Sequence, residues 1–101
     1  MSSERNVMLI EKWNYMRHSS GNYGTNAIAI KVGALTLWFS YDTVVAFKVE
    51  GGLIVASQNI WGTTTGKHLN VIEPDKGKRL EYSEFTSKLA NLLNELGLEI
   101  A

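Results

Sequence analysis

The sequence predicts one α+β domain spanning residues 1–101, in which an antiparallel sheet of about five strands precedes two helices. Two segments, 27–40 and 43–58, alternate apolar and other residues with period two, which is typical of β-hairpins. After residue 83 the apolar residues recur at steps of three and four, which indicates an amphipathic helix. Since strands precede helices in the chain, we expect both helices to cover one face of the sheet.

The first strand and the first hairpin are separated by a long polar segment. Val7–Trp13 is apolar enough for a strand, and residues 14–26 are rich in Ser, Gly and Asn without a regular period. A loop of this length in a small domain is often functional. The chain then alternates over 27–40 and turns at Gly33, as in a hairpin.

The second hairpin, 43–58, is predicted from its glycines. Gly51 and Gly52 separate two alternating segments, and glycine supplies the positive φ angles that a two-residue turn requires. Between the hairpins, Asp42 is expected to bend the chain through a bond from its side chain to the backbone.

The helices are predicted from periodicity and from candidate caps. A short helix, 64–72, is expected to begin among the threonines Thr63–Thr65, which are potential N-caps, and to end before a proline. The C-terminal helix, 83–96, has Ser83 as its candidate N-cap and Gly97 directly after its end.

The predicted sheet has two apolar faces, although an open face is normally polar. Val45 and Leu53 are assigned to the face that the helices cover, and Trp38, Val44 and Ala46 to the open face. Exposed apolar patches often mark interfaces, so we expect a homodimer or another protein partner at these three residues. The alternative is that the 14–26 loop or the first strand covers Trp38.

Composition excludes several classes of protein. Lys plus Arg and Asp plus Glu both total 10, and a net charge of zero does not favour nucleic-acid binding. The absence of cysteine excludes disulfides and thiolate chemistry. No segment has the apolar length of a secretory signal or a membrane span, so a cytoplasmic protein without a membrane partner is expected.

The segment WGTTTGKHLN, 61–70, contains the densest set of chemically active side chains. It is not a P-loop, because Gly62 and Gly66 are one residue too close and His68 follows Lys67 where Ser or Thr is needed. Three readings remain: helix caps with a neutral His68, an anion site of Thr63–Thr65 with Lys67 and His68, or a catalytic His68.

Motifs for metals, cofactors or covalent catalysis are missing. His18 and His68 are the two histidines, and their spacing resembles no metal motif. No nucleophile elbow occurs, so no catalytic residue, metal or cofactor is predicted. The basic turn Lys76, Lys78 and Arg79 is read either as a solvated loop or as a contact for nucleic acid or another anion.

Two stretches, FSYDTVVAF and WGTTTGKHL, resemble motifs of an uncharacterised family of small proteins from phage and prokaryotic genomes. Gly62 stands where serine is commoner in that pattern. The resemblance implies a host-interaction or regulatory context, and it implies no catalytic residue.

The predicted meander brings the two motifs to one corner, because the start of the fourth strand and the end of the fifth share a sheet edge. The residues expected there as a binding site are Tyr41, Thr43, Trp61, Thr64, Lys67 and His68. The alternative is a packing and hydrogen-bond motif that joins the sheet to the helix.

We therefore expect a non-enzymatic protein-interaction or regulatory module of phage or mobile-element type. One alternative is a nucleic-acid or anion-binding module. Its candidate residues are Lys67, His68, Lys76, Lys78 and Arg79. A second alternative is a small enzyme that uses His68 as a general base.

Overall fold

The computed structural model describes residues 10–16 and 26–98 and confirms the predicted fold class, an antiparallel five-stranded sheet followed by helices. The strands lie in the order of the sequence. They are β1 (Ile10–Asn14), β2 (Ile28–Val32), β3 (Leu35–Ser40), β4 (Thr43–Val49) and β5 (Val55–Ala56). They precede α1 (Thr63–Ile72), a 3-10 turn (Lys76–Lys78) and α2 (Tyr82–Leu96). Residues 7–9 of the predicted first strand and 17–25 of the predicted loop lie outside the described residues.

Two of the hairpin turns contain two residues each. Gly33, at φ 60°, turns β2 into β3, and Tyr41, at φ 58°, turns β3 into β4. The predicted two-residue turn at Gly51 and Gly52 is wrong, because β4 and β5 are joined by residues 50–54. The amide of Gly52 donates to the Val49 carbonyl, so this connection begins with a β-turn that has Glu50 and Gly51 at its centre.

A register shift in the β3–β4 pair reverses the predicted orientation of two valines. Trp38 lies opposite Ala46 and Phe39 lies opposite Val44, so β4 has one extra residue, Val45, between these pairs. An extra residue interrupts the alternation of side chains between the two faces. Val44 therefore packs on the α2 side and Val45 on the α1 side, the opposite of the prediction.

The two helices cover opposite faces of the sheet, so the prediction that both lie on one face is wrong. On one face, Phe85 of α2 packs with Leu37 and Phe47, and its ring centroid lies 5.5 Å from that of Phe47. On the other, Leu69 of α1 packs with a cluster that includes Ala46. The alanines on this second face leave room for a helix.

The predicted interface residues are consequently covered by the chain itself. Val44 and Ala46 are 8% and 0% exposed, and Trp38 is half-buried beside the α1 cluster. The open apolar face on which we based the interface does not exist at these positions. Leu53, predicted to be covered, is 88% exposed instead.

The helix ends differ from the predicted caps except at Gly97. The N-cap of α1 is Gly62, so the threonines lie in the first turn and Lys67 follows it. The N-cap of α2 is Glu81 rather than Ser83. Gly97 ends α2 in the left-handed conformation, as predicted, and its amide donates to carbonyls of the last turn. In the described ranges, no helix has the length and apolarity that a bilayer crossing requires.

Candidate functional site

A buried hydrogen-bond network joins the end of β3 to α1. The Oγ atom of Ser40 lies 2.7 Å from Nδ1 of His68 and 2.8 Å from Oγ1 of Thr65. All three residues are buried, and His68 is 0% exposed. Thr65 and His68 are three residues apart on one helix, so both face the same strand end. We call this set the Ser40 network.

Two tyrosine rings lie against His68. The ring centroid of Tyr15 is 5.9 Å from that of His68, and the ring centroid of Tyr41 is 6.3 Å from it. The Tyr15 hydroxyl donates to the Phe39 carbonyl at 2.7 Å. Burial raises the pKa of this hydroxyl well above its ordinary value, because burial disfavours the phenolate. His68 is thus enclosed by side chains from two loops and a strand.

Above the Ser40 network lies an open cavity of about 380 Å³, which we call the aromatic pocket. Its lining residues are Ser40, Tyr41, Thr43, Val45, Trp61, Gly62, Thr63, Thr64 and Thr65. Four of the six residues predicted as a binding site therefore lie around one cavity. The other two do not line it, since His68 is buried beneath and Lys67 is exposed on α1.

Trp61 is held at the rim of the aromatic pocket from two sides. Its amide and that of Gly62 donate to Oδ1 of Asn59, at 3.0 and 3.3 Å. Its ring meets the Tyr82 ring edge-on, with centroids 5.3 Å apart. Trp61 remains 38% exposed and Tyr41, on the turn after β3, is 53% exposed. The rim thus presents two aromatic rings from different elements.

A second cavity, of about 470 Å³, lies along α1, and we call it the arginine cleft. Its lining residues are Gln58, Asn59, Gly66, Asn70, Lys76 and Arg79. The five residues predicted for an anion-binding module are therefore divided. Lys76 and Arg79 line this cleft, whereas Lys78 lines a different cavity and His68 is buried.

A family model described as "Family of unknown function (DUF8033)" matches residues 8–88. The chain belongs to this family. The matched range contains both cavities and the Ser40 network. No curated protein and no solved structure matches the chain.

The chemistry open to this DUF8033 member is limited by burial. A serine hydroxyl bonded to an imidazole is the first requirement of an activated nucleophile. Ser40, however, is 3% exposed and shares its Oγ with Thr65, so little of the hydroxyl faces the pocket. Within residues 10–16 and 26–98, no group of three His, Cys, Asp or Glu side chains could hold a metal ion.

Ser40 and Asn59 are site residues that were not predicted from the sequence. Ser40 ends a mostly apolar and aromatic strand and directly precedes the turn, and a small hydroxyl there was the available signal. Asn59 precedes a tryptophan and a glycine, and asparagine side chains often accept from the backbone two or three residues ahead, as Asn59 does.

Proposed function

We propose that this protein is a non-enzymatic protein-interaction module and that the aromatic pocket receives an uncharged partner segment with an aromatic or aliphatic side chain. The observation that carries the proposal is the pairing of Tyr41 and Trp61, both exposed, across a cavity of about 380 Å³. Exposed aromatic rings are enriched at protein interfaces, because they bury a large area with little loss of conformational entropy.

The lining of the aromatic pocket supports a neutral polypeptide as the ligand. None of its lining side chains carries a charge. Six of the nine lining residues carry a hydroxyl group, namely Ser40, Tyr41, Thr43, Thr63, Thr64 and Thr65. The N-cap of α1 is Gly62, which has no side chain to accept from the first amides of the helix. The first amides of a helix have no partner within it, so they are placed to donate to carbonyl groups of a bound segment.

The rigidity of the pocket also supports binding. The Ser40 network fixes its floor, and the contacts of Trp61 with Asn59 and Tyr82 fix one rim. A site that is already ordered loses less conformational entropy when a ligand binds. Tyr41 holds a positive φ, and such strain persists where the surrounding structure maintains it, often at binding sites.

The burial of His68 favours binding over the enzyme alternative, because the imidazole lies below the pocket and not on its wall.

The proposal extends to a regulatory role in a phage or mobile element, which rests on the motif resemblance alone. Self-association remains part of the proposal. Its surface would be the exposed rim formed by Tyr41 and Trp61, because Val44 and Ala46 are covered by the chain itself. Light scattering at several protein concentrations tests it.

Selection from a random peptide display library tests the proposed function. We expect enriched peptides to contain an uncharged stretch with an aromatic or aliphatic residue. Trp61→Ala should weaken their binding at least tenfold, or about 1.4 kcal/mol, since central aromatic residues dominate interface energies. Leu53→Ala removes another exposed apolar side chain and should leave binding unchanged. Equal binding to wild type and Trp61→Ala, or no enriched peptide, would contradict the proposal.

A further inference from the structure

Arg79 is a buried cation that no carboxylate of residues 10–16 or 26–98 neutralises. The residue is 6% exposed, although it carries a full positive charge. Its Nε donates to the Glu73 carbonyl at 3.0 Å and one terminal nitrogen donates to Oδ1 of Asn70 at 2.9 Å. In the described part of the chain, the ion pair found joins Lys31 to Glu50, so it does not involve Arg79. Buried charges are normally paired, so this arrangement requires an explanation.

The two acids of the segment that leads from α1 to Arg79 are directed elsewhere. The carboxylate of Glu73 accepts from the Asp75 amide, and the carboxylate of Asp75 accepts from the Gly77 amide. The carbonyl that Arg79 contacts belongs to the C-cap of α1, whose partial negative charge amounts to roughly half an elementary charge. Within the described residues the guanidinium is therefore only partly compensated. It has five N–H donors, and two of them are engaged by this part of the chain.

The arginine cleft around this guanidinium is polar and holds a second cation. Lys76 lines it together with the amide side chains of Gln58, Asn59 and Asn70, and no acidic residue is among its lining residues. A Cβ at position 66 would lie 2.9 Å from Nδ2 of Asn59, so the glycine leaves room for this amide at the cleft. Its volume, about 470 Å³, is in the range of small-molecule sites.

We propose that the arginine cleft binds a small phosphate monoester, with its phosphate group against Arg79 and Lys76. The free edge of a guanidinium matches two phosphate oxygens, and the lysine ammonium can engage the third. The guanidinium and the ammonium together offer more N–H donors than the two oxygens of a carboxylate would use. The rest of the cleft has room for a second group beside the phosphate. The side-chain amides that line it suit a neutral polar group such as a sugar.

Ribose 5-phosphate and ribose form a matched pair of ligands for the test. Titration followed by NMR should shift the side-chain signals of Arg79, Asn70 and Gln58 with ribose 5-phosphate. Inorganic phosphate should shift them too, and ribose should not. A dissociation constant of about 1 mM is the weak end of specific binding. If ribose 5-phosphate at a concentration several times higher produces no shift, the proposal is overturned.

Lys76→Gln and Lys78→Gln form a matched pair of variants. They remove the same charge from one turn, but only Lys76 lines the cleft. We expect Lys76→Gln to weaken binding of ribose 5-phosphate about fivefold to tenfold, because a charge-assisted contact is lost, and Lys78→Gln to change it less than about twofold. Both lysines are exposed, so each variant should fold. Equal losses would indicate only a diffuse positive field, and tighter binding of a short oligothymidylate would indicate a nucleic-acid site. Either result would overturn the proposal.

Discussion

The hydroxyl of Ser40 lies within hydrogen-bond distance of both Thr65 and His68, at 2.8 and 2.7 Å, and so joins the last residue of β3 to the face of α1. This contact sets the position of α1 on the sheet and forms the floor of the aromatic pocket. The Ser40–His68 contact has the geometry of a catalytic pair, and both residues are buried.

Replacing Ser40 by alanine should destabilise the fold. The change removes the buried hydroxyl that contacts both Thr65 and His68, and the loss of these contacts costs about 1–3 kcal/mol. Urea denaturation measures the difference in free energy of unfolding. Ser87→Ala, at an exposed position on α2, should change it by less than about 0.5 kcal/mol. Equal effects of the two variants would show that the network contributes nothing to stability.

Tyr41→Asn should separate stability from binding. Tyr41 has φ 58°, and asparagine adopts this left-handed region more readily than a bulky aromatic residue. We expect the variant to be as stable as wild type or up to about 1 kcal/mol more stable, while peptides selected against wild type bind it at least tenfold more weakly. Thermal unfolding and a peptide-binding isotherm measure the two effects.

Asp42→Asn is the control for Tyr41→Asn, because residue 42 in the same turn does not have a positive φ. It should leave stability within about 0.5 kcal/mol of wild type. A marked loss of stability in Tyr41→Asn would mean that the tyrosine ring stabilises the turn more than its backbone strain costs.

The buried hydroxyl of Tyr15 predicts a loss of stability in alkali. Since its pKa is raised in the folded state, the folded protein keeps the proton while the unfolded chain releases it above about pH 10. This contribution is complete below the unfolded pKa and is lost as pH rises above it, by up to about 1.36 kcal/mol per pH unit. Tyr15→Phe should flatten the decline between pH 10 and 11, as measured by urea denaturation. An unchanged slope would contradict the assignment. Tyr82→Phe, at an exposed tyrosine, is the control.

Gly66→Ala should stabilise the protein less than its position in a helix predicts. Alanine is favoured over glycine in a helix by about 1 kcal/mol, but the added Cβ would lie 2.9 Å from Nδ2 of Asn59. Asn59 would then have to move and release its bonds to the backbone of Trp61 and Gly62. A double-mutant cycle measures this, because in an Asn59→Ala background the full gain should appear. Equal gains in both backgrounds would exclude the proposed clash.

The strands and helices were predictable because their signals are local. Alternation identified β2 to β4, and the apolar stripe of residues 83–96 identified α2 within one residue of its observed start. The face that α1 covers was not predicted, because a helix of ten residues gives a weak pattern. The signal that was available is the set of alanines on that face. Ala29, Ala46 and Ala56 are 0%, 0% and 1% exposed.

The corner site was predictable only in outline. Sheet topology places Tyr41 and Trp61 at the same end of the sheet, and the structure brings both to one cavity. The burial of His68 and Arg79 could not be read from the sequence, since both stand in polar segments that resemble solvated turns. The extent to which these two side chains are buried depends on which face of the sheet α1 covers and on where the chain crosses the end of α1.

The extra residue in β4 makes the middle of this strand unusually intolerant of polar substitutions. Val44, Val45, Ala46 and Phe47 are all at least nine-tenths buried, because the strand is enclosed by α2 on one side and α1 on the other. A strand with one solvent-exposed face accepts polar replacements at every second position. Here four successive positions do not accept polar residues. Tolerated polar substitutions should therefore be found at the strand ends and in the connecting turns.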